Sequence, residues 1–310
     1  MIRYGKERAA LNRFTACLAE LRAPFLSVSV LPVVLAVAVA RHETGSWNPG
    51  LFWLTLAGTV LLHLGANTIN DWFDHRSGND AANVDFVSPF TGGSRLIQAG
   101  LIAPRTVLAL SLTLFAAAAA VGVALLVVRG PLVLLFGAAG ALLGLLYTEP
   151  RAMLAGRGFG EAAILVAFGL IAVGAYFVQT GTITAQGLVA PLPLALLTTA
   201  IIIVNEFQDS AADAATGKRT LVVRLGTRRA TVLFAAVTLC AYLPLAAGVA
   251  ARIMPPWTLL GLVSLPLAVR AVAVAASAHD DPRRMAPANA ATILCHLVTG
   301  IVLVVVYLLI

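Results

Sequence analysis

The amino-acid sequence predicts an all-α, polytopic membrane protein of nine transmembrane helices. Of its 310 residues, 60% are hydrophobic and 11% charged, too little charge to cover a soluble domain of that size. The apolar residues gather in segments of about 20, the length that crosses a bilayer core of roughly 30 Å. With nine spans and the N-terminus inside, eighteen of the 21 basic residues fall in inner segments, leaving Arg41, Arg129 and Arg252 outside. That asymmetry is the positive-inside pattern, and one span more or fewer would scramble it.

In chain order, residues 1–22 form a basic, amphipathic N-terminal segment. Arg3, Lys6, Arg8, Arg13 and Arg22 accompany Leu11, Phe14, Leu18 and Leu21 at helical spacing, the pattern of a helix lying on a membrane surface. Residues 23–310 form a single transmembrane domain. Its first helix is expected over about 24–40 and its second over about 51–71. A polar stretch rich in Gly, Asn and Ser follows, about 74–104. Helices over about 106–128 and 131–147 are joined by the turn Arg129-Gly130. A polar loop, 148–158, leads to a helix over about 160–179, and the turn from Thr180 leads to the next over about 188–208. A basic loop, 210–229, precedes the last three helices, about 230–250, 256–276 and 287–309. No N-terminal targeting peptide is evident. Cys17, Cys240 and Cys295 are isolated, so no CxxC pair supports a metal-thiolate or redox site.

Chemistry concentrates in two stretches. Asn67, Asp71 and Asp74 stand at i, i+4 and i+7, one face of a helix. Asn205, Asp209 and Asp213 stand at i, i+4 and i+8, and both Asn67 to Asn205 and Asp71 to Asp209 are 138 residues apart. Carboxylates at a membrane helix end are costly unless paired, which makes a functional site their default reading. Together with Asp80 they put five carboxylates on one side of the membrane, and their mutual repulsion calls for cations. Oxygen donors of this kind suit Mg²⁺, which usually keeps waters and binds a substrate phosphate as well. Basic residues and glycines lie beside both stretches: Gly92-Gly93-Ser94-Arg95, Tyr147 followed by Arg151, and Gly217-Lys218-Arg219-Thr220. Lys and Arg neutralise phosphate oxygens, and glycine lets backbone N–H groups approach them. Membrane carboxylates and an internal repeat also suit a cation-coupled transporter, but such sites usually lie at the bilayer midplane on broken helices. For His63, one turn before Asn67, a hydrogen-bonded core histidine is the plainer reading.

These motifs resemble those of the UbiA superfamily of intramembrane prenyltransferases, over nearly the whole chain. Asn67-x3-Asp71-x2-Asp74 looks like the first Asp-rich motif of that family, and Asp209-x3-Asp213 like the second. Tyr147-x3-Arg151 resembles its Tyr-x3-Lys loop motif, with Arg in place of Lys. Where the common first motif ends in a third Asp, this chain has Gly78, with Asp80 two residues on. That ending, with Thr91-Gly-Gly-Ser-Arg-Leu-Ile-Gln98 and the run from Gly217 to Gly226, is more like the menaquinone-pathway branch, the 1,4-dihydroxy-2-naphthoate polyprenyltransferases.

The resemblance implies nine helices around a central cavity, capped on the cytoplasmic side by the two Asp motifs and open sideways to membrane lipid. It implies Mg²⁺-dependent transfer from a polyprenyl diphosphate to an aromatic, naphthoate-type acceptor in the bacterial cytoplasmic (inner) membrane. The metal ligands would be Asn67, Asp71, Asp74, Asn205, Asp209 and Asp213. Lys218, Arg95, Arg151, Arg219 and Tyr147 would neutralise or hydrogen-bond the diphosphate, and Glu149 or Glu161 could serve as general base. No nucleic-acid partner is expected. Transfer to a lipid alcohol or another phenol, and UbiA-type terpene cyclisation, start from the same ionisation and remain open.

Overall fold

The computed structural model of the chain describes residues 13–310. Most of the expected amphipathic segment 1–22 therefore lies outside the described residues. Helices make up the regular structure among the described residues: α1 Arg13–Glu20, α2 Ser27–Thr44, α3 Pro49–Ser77, α4 Asn79–Ala82, α5 Pro104–Arg129, α6 Leu132–Thr148 and α7 Gly160–Thr180. The second half holds α8 Ala185–Val189, α9 Leu192–Ala215, α10 Leu221–Leu225, α11 Thr227–Cys240, α12 Leu243–Ala250, α13 Leu265–Ala278 and α14 Ala286–Leu309. Among the described residues eight helical stretches are long and apolar enough to cross a membrane, and α6, at 17 residues, is a shorter apolar helix. It stands where the fourth of the nine expected spans was placed. The chain is an integral membrane protein.

α3 carries the first motif, and its ends are fixed locally. The Asn48 side chain accepts a hydrogen bond from Leu51 N, and Pro49 takes the first turn, where its missing N–H costs nothing. Gly78, at φ 79°, ends the helix in a left-handed conformation that glycine adopts without strain. The 29 residues between give a rod about 44 Å long, more than a bilayer core requires. Its last turns, which carry Asn67 to Asp74, therefore reach the interface. α9 runs to Ala215, further than its sequence suggests, so Asp209 and Asp213 lie within the helix rather than in the loop after it. Ser210-Ala-Ala-Asp-Ala-Ala contains no residue that stops a helix.

Proline interrupts the seventh and eighth expected spans, as Pro191 does near the start of the sixth, between α8 and α9. The seventh divides at Ala241–Tyr242 into α11 and α12, where Pro244 has no N–H to give. The eighth begins as a 3₁₀ helix, Pro256–Ser264, and becomes α-helical only at Leu265, ahead of Pro266. In both places a buried hydroxyl set, Tyr242, Ser264 and Thr299, ties the break together through bonds of 2.7 Å.

α3 packs along α5, and α6 closes against both. α2 lies against α7 and α14, and α9 packs against α7, α11 and α14. One apolar core joins Leu35, Leu194, Leu245, Leu303 and Tyr307, and a second joins Ile203, Phe207, Phe234 and Met285. Beside them α3, α5, α6, α7 and α9 leave a central cavity of about 650 Å³.

Candidate active site

The cavity is apolar along most of its length and polar at one end. Leu125, Val133 and Val178 line the end near the Arg129-Gly130 turn, and Phe115, Gly137 and Ile171 the middle. Asn67, Asp74, Asp209, Asp213 and Lys218 line the polar end. The two stretches that are 138 residues apart in sequence thus face one space.

Short-range contacts weld them together. After Gly78 the chain turns into α4, whose Asn79 Nδ2 donates to Asp213 Oδ1 at 3.1 Å while its Oδ1 accepts from Thr216 Oγ1 at 2.7 Å. Asn83 Nδ2 donates to Asp209 Oδ1 at 2.7 Å. Lys218 Nζ lies 3.5 Å from Asp213 Oδ1. Burial alone would lower the lysine pKa, but Asp74 and Asp213 facing it raise it well above the ordinary value. This ammonium is a fixed positive charge.

Asp71 is 2% exposed and turns away from the lumen. Its Oδ2 accepts from Ser94 N at 2.9 Å and its Oδ1 lies 3.4 Å from Arg22 Nη1. Gly93 makes this approach possible: at φ 65°, a Cβ there would stand 3.1 Å from Asp71 Oδ1. Asp80 Oδ2 accepts from Gln98 Nε2 at 2.7 Å. Burial, with Asp74 and Asp71 nearby, pushes the Asp80 carboxyl up to about 7. Arg95 donates to the main-chain oxygens of Asp80 and Asn83, and its guanidinium lies 4.6 Å over the Phe86 ring. It fastens the loop and does not line the cavity.

The other expected site residues divide. Tyr147 and Asn67 line the cavity, as does Asn205, whose Oδ1 accepts from Asn289 Nδ2 at 2.7 Å. Arg151 and Arg219 are exposed and outside the lining. Arg151 N donates to Glu149 Oε2 at 2.9 Å, and Arg219 N to Gly156 O at 3.1 Å. Glu149 thus caps a turn. Glu161 Oε1 accepts from Leu221 N at 3.2 Å, and neither glutamate lines the cavity. His63 does line it, with its ring hydrogen-bonded to Ser29 Oγ. Asn79, Asn83 and Gln98 were missed because amides in an irregular stretch follow no periodicity. Glu206 was missed although it offered a signal, a second acid three residues before Asp209 where the apolar run ends, and it lines the cavity.

Among the described residues no three His, Cys, Asp or Glu side chains converge closely enough to hold a metal ion by themselves. Among these residues each site carboxylate except Asp74 has its own partner: Asp213 has Lys218 and Asn79, Asp209 has Asn83, Asp71 has Arg22, and Asp80 has Gln98. The available donors are nonetheless all oxygen and all at the mouth. They suit a hard ion that completes its shell with waters and a ligand's phosphates.

The UbiA prenyltransferase family matches this chain over residues 29–296. A 1,4-dihydroxy-2-naphthoate octaprenyltransferase of Mycobacterium tuberculosis is 32% identical over 249 residues, 78% of this chain and 81% of that one. A 2-carboxy-1,4-naphthoquinone phytyltransferase of Synechocystis is 28% identical over 294 residues, 94% of this chain and 92% of that one. The apo structure of a UbiA homolog from Aeropyrum pernix K1 superposes with a TM-score of 0.67 at 15% identity, over 89% of this chain and 97% of that one. A UbiA homolog from Archaeoglobus fulgidus bound to GPP and Mg²⁺ gives 0.60 at 15% identity, over 93% and 99%. With the paired acidic stretches meeting at the mouth of an intramembrane cavity, and a match spanning most of its length, this chain belongs to the UbiA prenyltransferase family.

Proposed function

We propose that the protein transfers a polyprenyl group from polyprenyl diphosphate to 1,4-dihydroxy-2-naphthoate, a step of menaquinone biosynthesis, at the cytoplasmic face of a bacterial inner membrane. The observation that carries this reading is a long apolar cavity ending in facing Asp74, Asp209, Asp213 and Lys218. Such a shape takes an isoprenoid tail and a diphosphate head at once. The naphthoate acceptor is supported by the relatives in Mycobacterium tuberculosis and Synechocystis, whose names carry naphthoate-type substrates.

Mg²⁺ supports the reading through the oxygen donors of the mouth and through the Archaeoglobus homolog, which holds GPP with Mg²⁺. Asp74 on α3, and Asp209 and Asp213 on α9, would hold it, with the Asn67 amide oxygen beside them, while Asp71, turned to Ser94 and Arg22, would fasten the loop beside the mouth. Asn205 supports the wall, because its amide oxygen is engaged by Asn289. When bound, Mg²⁺ neutralises charge on the departing diphosphate. Lys218 reinforces this from a fixed position, at the oxygens where negative charge grows as the C–O bond breaks. Tyr147, on α6 and in the cavity lining, offers a hydroxyl. Arg151 and Arg219, exposed at the rim, draw the anionic head to the mouth from longer range. The apolar cavity keeps water from the allylic cation until an electron-rich ring carbon attacks. With dihydroxynaphthoate the acceptor loses its carboxylate as CO₂.

Mass spectrometry of products from the purified chain tests this. Supplied with dihydroxynaphthoate, Mg²⁺ and prenyl diphosphates of several lengths, it should release a decarboxylated prenyl-1,4-naphthalenediol or the quinone it oxidises to in air, lost on chelation and restored by Mg²⁺. A cyclised hydrocarbon, or a prenyl ether formed without naphthoate, would overturn the assignment.

A further inference from the structure

Glu206 on α9 has no role in diphosphate departure, yet it lines the cavity and is 6% exposed. Neither of its carboxyl oxygens has a hydrogen-bond partner among the described residues. The carboxyl of Glu161 on α7 comes within reach of it, but Glu161 Oε2 is also buried without a partner. Unless a proton is shared, two carboxyls offer each other only acceptor oxygens. A buried polar group left this way is costly, and at membrane depth the cost is higher still. What is missing is a donor, and the side of Glu206 that is not packed on protein faces the lumen.

Its depth says which ligand would bring one. Glu206 and Asp213 are seven residues apart on α9, close to the same face, with Glu206 about 10 Å further into the membrane. It therefore lies just beneath the carboxylate-and-lysine mouth. A prenyl diphosphate seated with its head in the mouth places C1 one oxygen below that head. The attacking ring carbon must come to about 3–3.5 Å from C1. The acceptor ring and its substituents then occupy the level of Glu206, bounded by Tyr147, whose hydroxyl lies in the field of both glutamates.

We propose that Glu206 receives the ring hydroxyl of the aromatic acceptor, with the O–H donating to its carboxyl. This rests on the transfer reading above. No bond to Glu206 forms or breaks. The contact orients the ring and drives electron density from the hydroxyl oxygen toward the ring carbons ortho and para to it. The site is thereby selective for hydroxylated aromatics over their ethers, because an ether leaves the buried carboxyl without its donor.

Two-substrate kinetics on the full chain in detergent test this with Glu206→Gln and Glu206→Leu. The acceptor KM should rise about tenfold with Gln and further with Leu. The KM for prenyl diphosphate should stay within about twofold. Wild type should use the dimethyl ether of the acceptor, which has no hydroxyl left to donate, far less well than the free diol, and Glu206→Leu should lose that preference. An unchanged acceptor KM in both variants would overturn the proposal, as would both substrate constants moving together, the mark of a packing role. If neither variant folds, equal use of hydroxyl and ether by wild type overturns it. A wild type that makes no prenylated aromatic at all removes the transfer reading, and this inference with it.

Discussion

Lys218 illustrates what a single side chain does at the mouth. A glycine before it and a buried threonine after it fix its loop against Gly156, and its ammonium ends 3.5 Å from Asp213. Lys218→Met should lower turnover by about 10²–10³, since a charge aimed at a leaving group contributes on that scale. Arg228→Ala, an exposed cation in the first turn of α11, should stay within about twofold. Turnover assays on matched membrane preparations check both, and equal losses would mean that general charge, not position, matters. The reading of Asp80 belongs to this scale too. Gly78 looked like a departure from the first motif, but its left-handed turn is what returns Asp80 to Gln98 and Asn79 to Asp213. That contact was invisible in sequence because its partners are 134 residues apart.

At the scale of elements, α3 and α6 shape the apolar limb. Gly122 in α5 and Gly137, Gly140 and Gly144 in α6 lie at near-helical spacing, a pattern that serves close packing of membrane helices. The structure separates them. A Cβ on Gly144 would meet Ala66 Cβ at 3.0 Å, so Gly144 does set the distance between α6 and α3. A Cβ on Gly137 would meet nothing within 4 Å, and Gly137 lines the cavity. Gly137→Leu should therefore fill lumen without pushing helices apart. Competition between geranyl and octaprenyl diphosphates should then shift several-fold toward the shorter donor, with little loss of thermal stability. An unchanged ratio would mean that the tail does not pass Gly137. The positions of helices were legible from hydropathy because burial in lipid demands about 20 apolar residues per crossing. The breaks at Pro244 and Pro266 were not, since prolines near a membrane helix start, bend or split it according to neighbours that only the fold supplies.

For the whole molecule, orientation follows from charge. Eighteen basic residues against three predict that both acidic stretches lie on the cytoplasmic side. In a cysteine-free background, Arg219→Cys should react with an impermeant thiol reagent only from the cytoplasm, and Thr182→Cys only from outside, both positions being exposed. The last turns of α3 and α9 converge on one cavity, and helical periodicity predicts a shared face for each motif, from which Asp71 departs. The amides that clasp them, and the turn of Asp71 toward Arg22 and Ser94, emerged only in three dimensions. In the proposed function the two acidic stretches grip one diphosphate. Binding of geranylgeranyl diphosphate with Mg²⁺ should be measured for wild type, Asp74→Asn, Asp209→Asn and the double variant. If the head is shared, each single change weakens binding at least tenfold and the double costs much less than the product of the two. Unchanged binding in either single variant, or losses that simply multiply, would contradict a shared site.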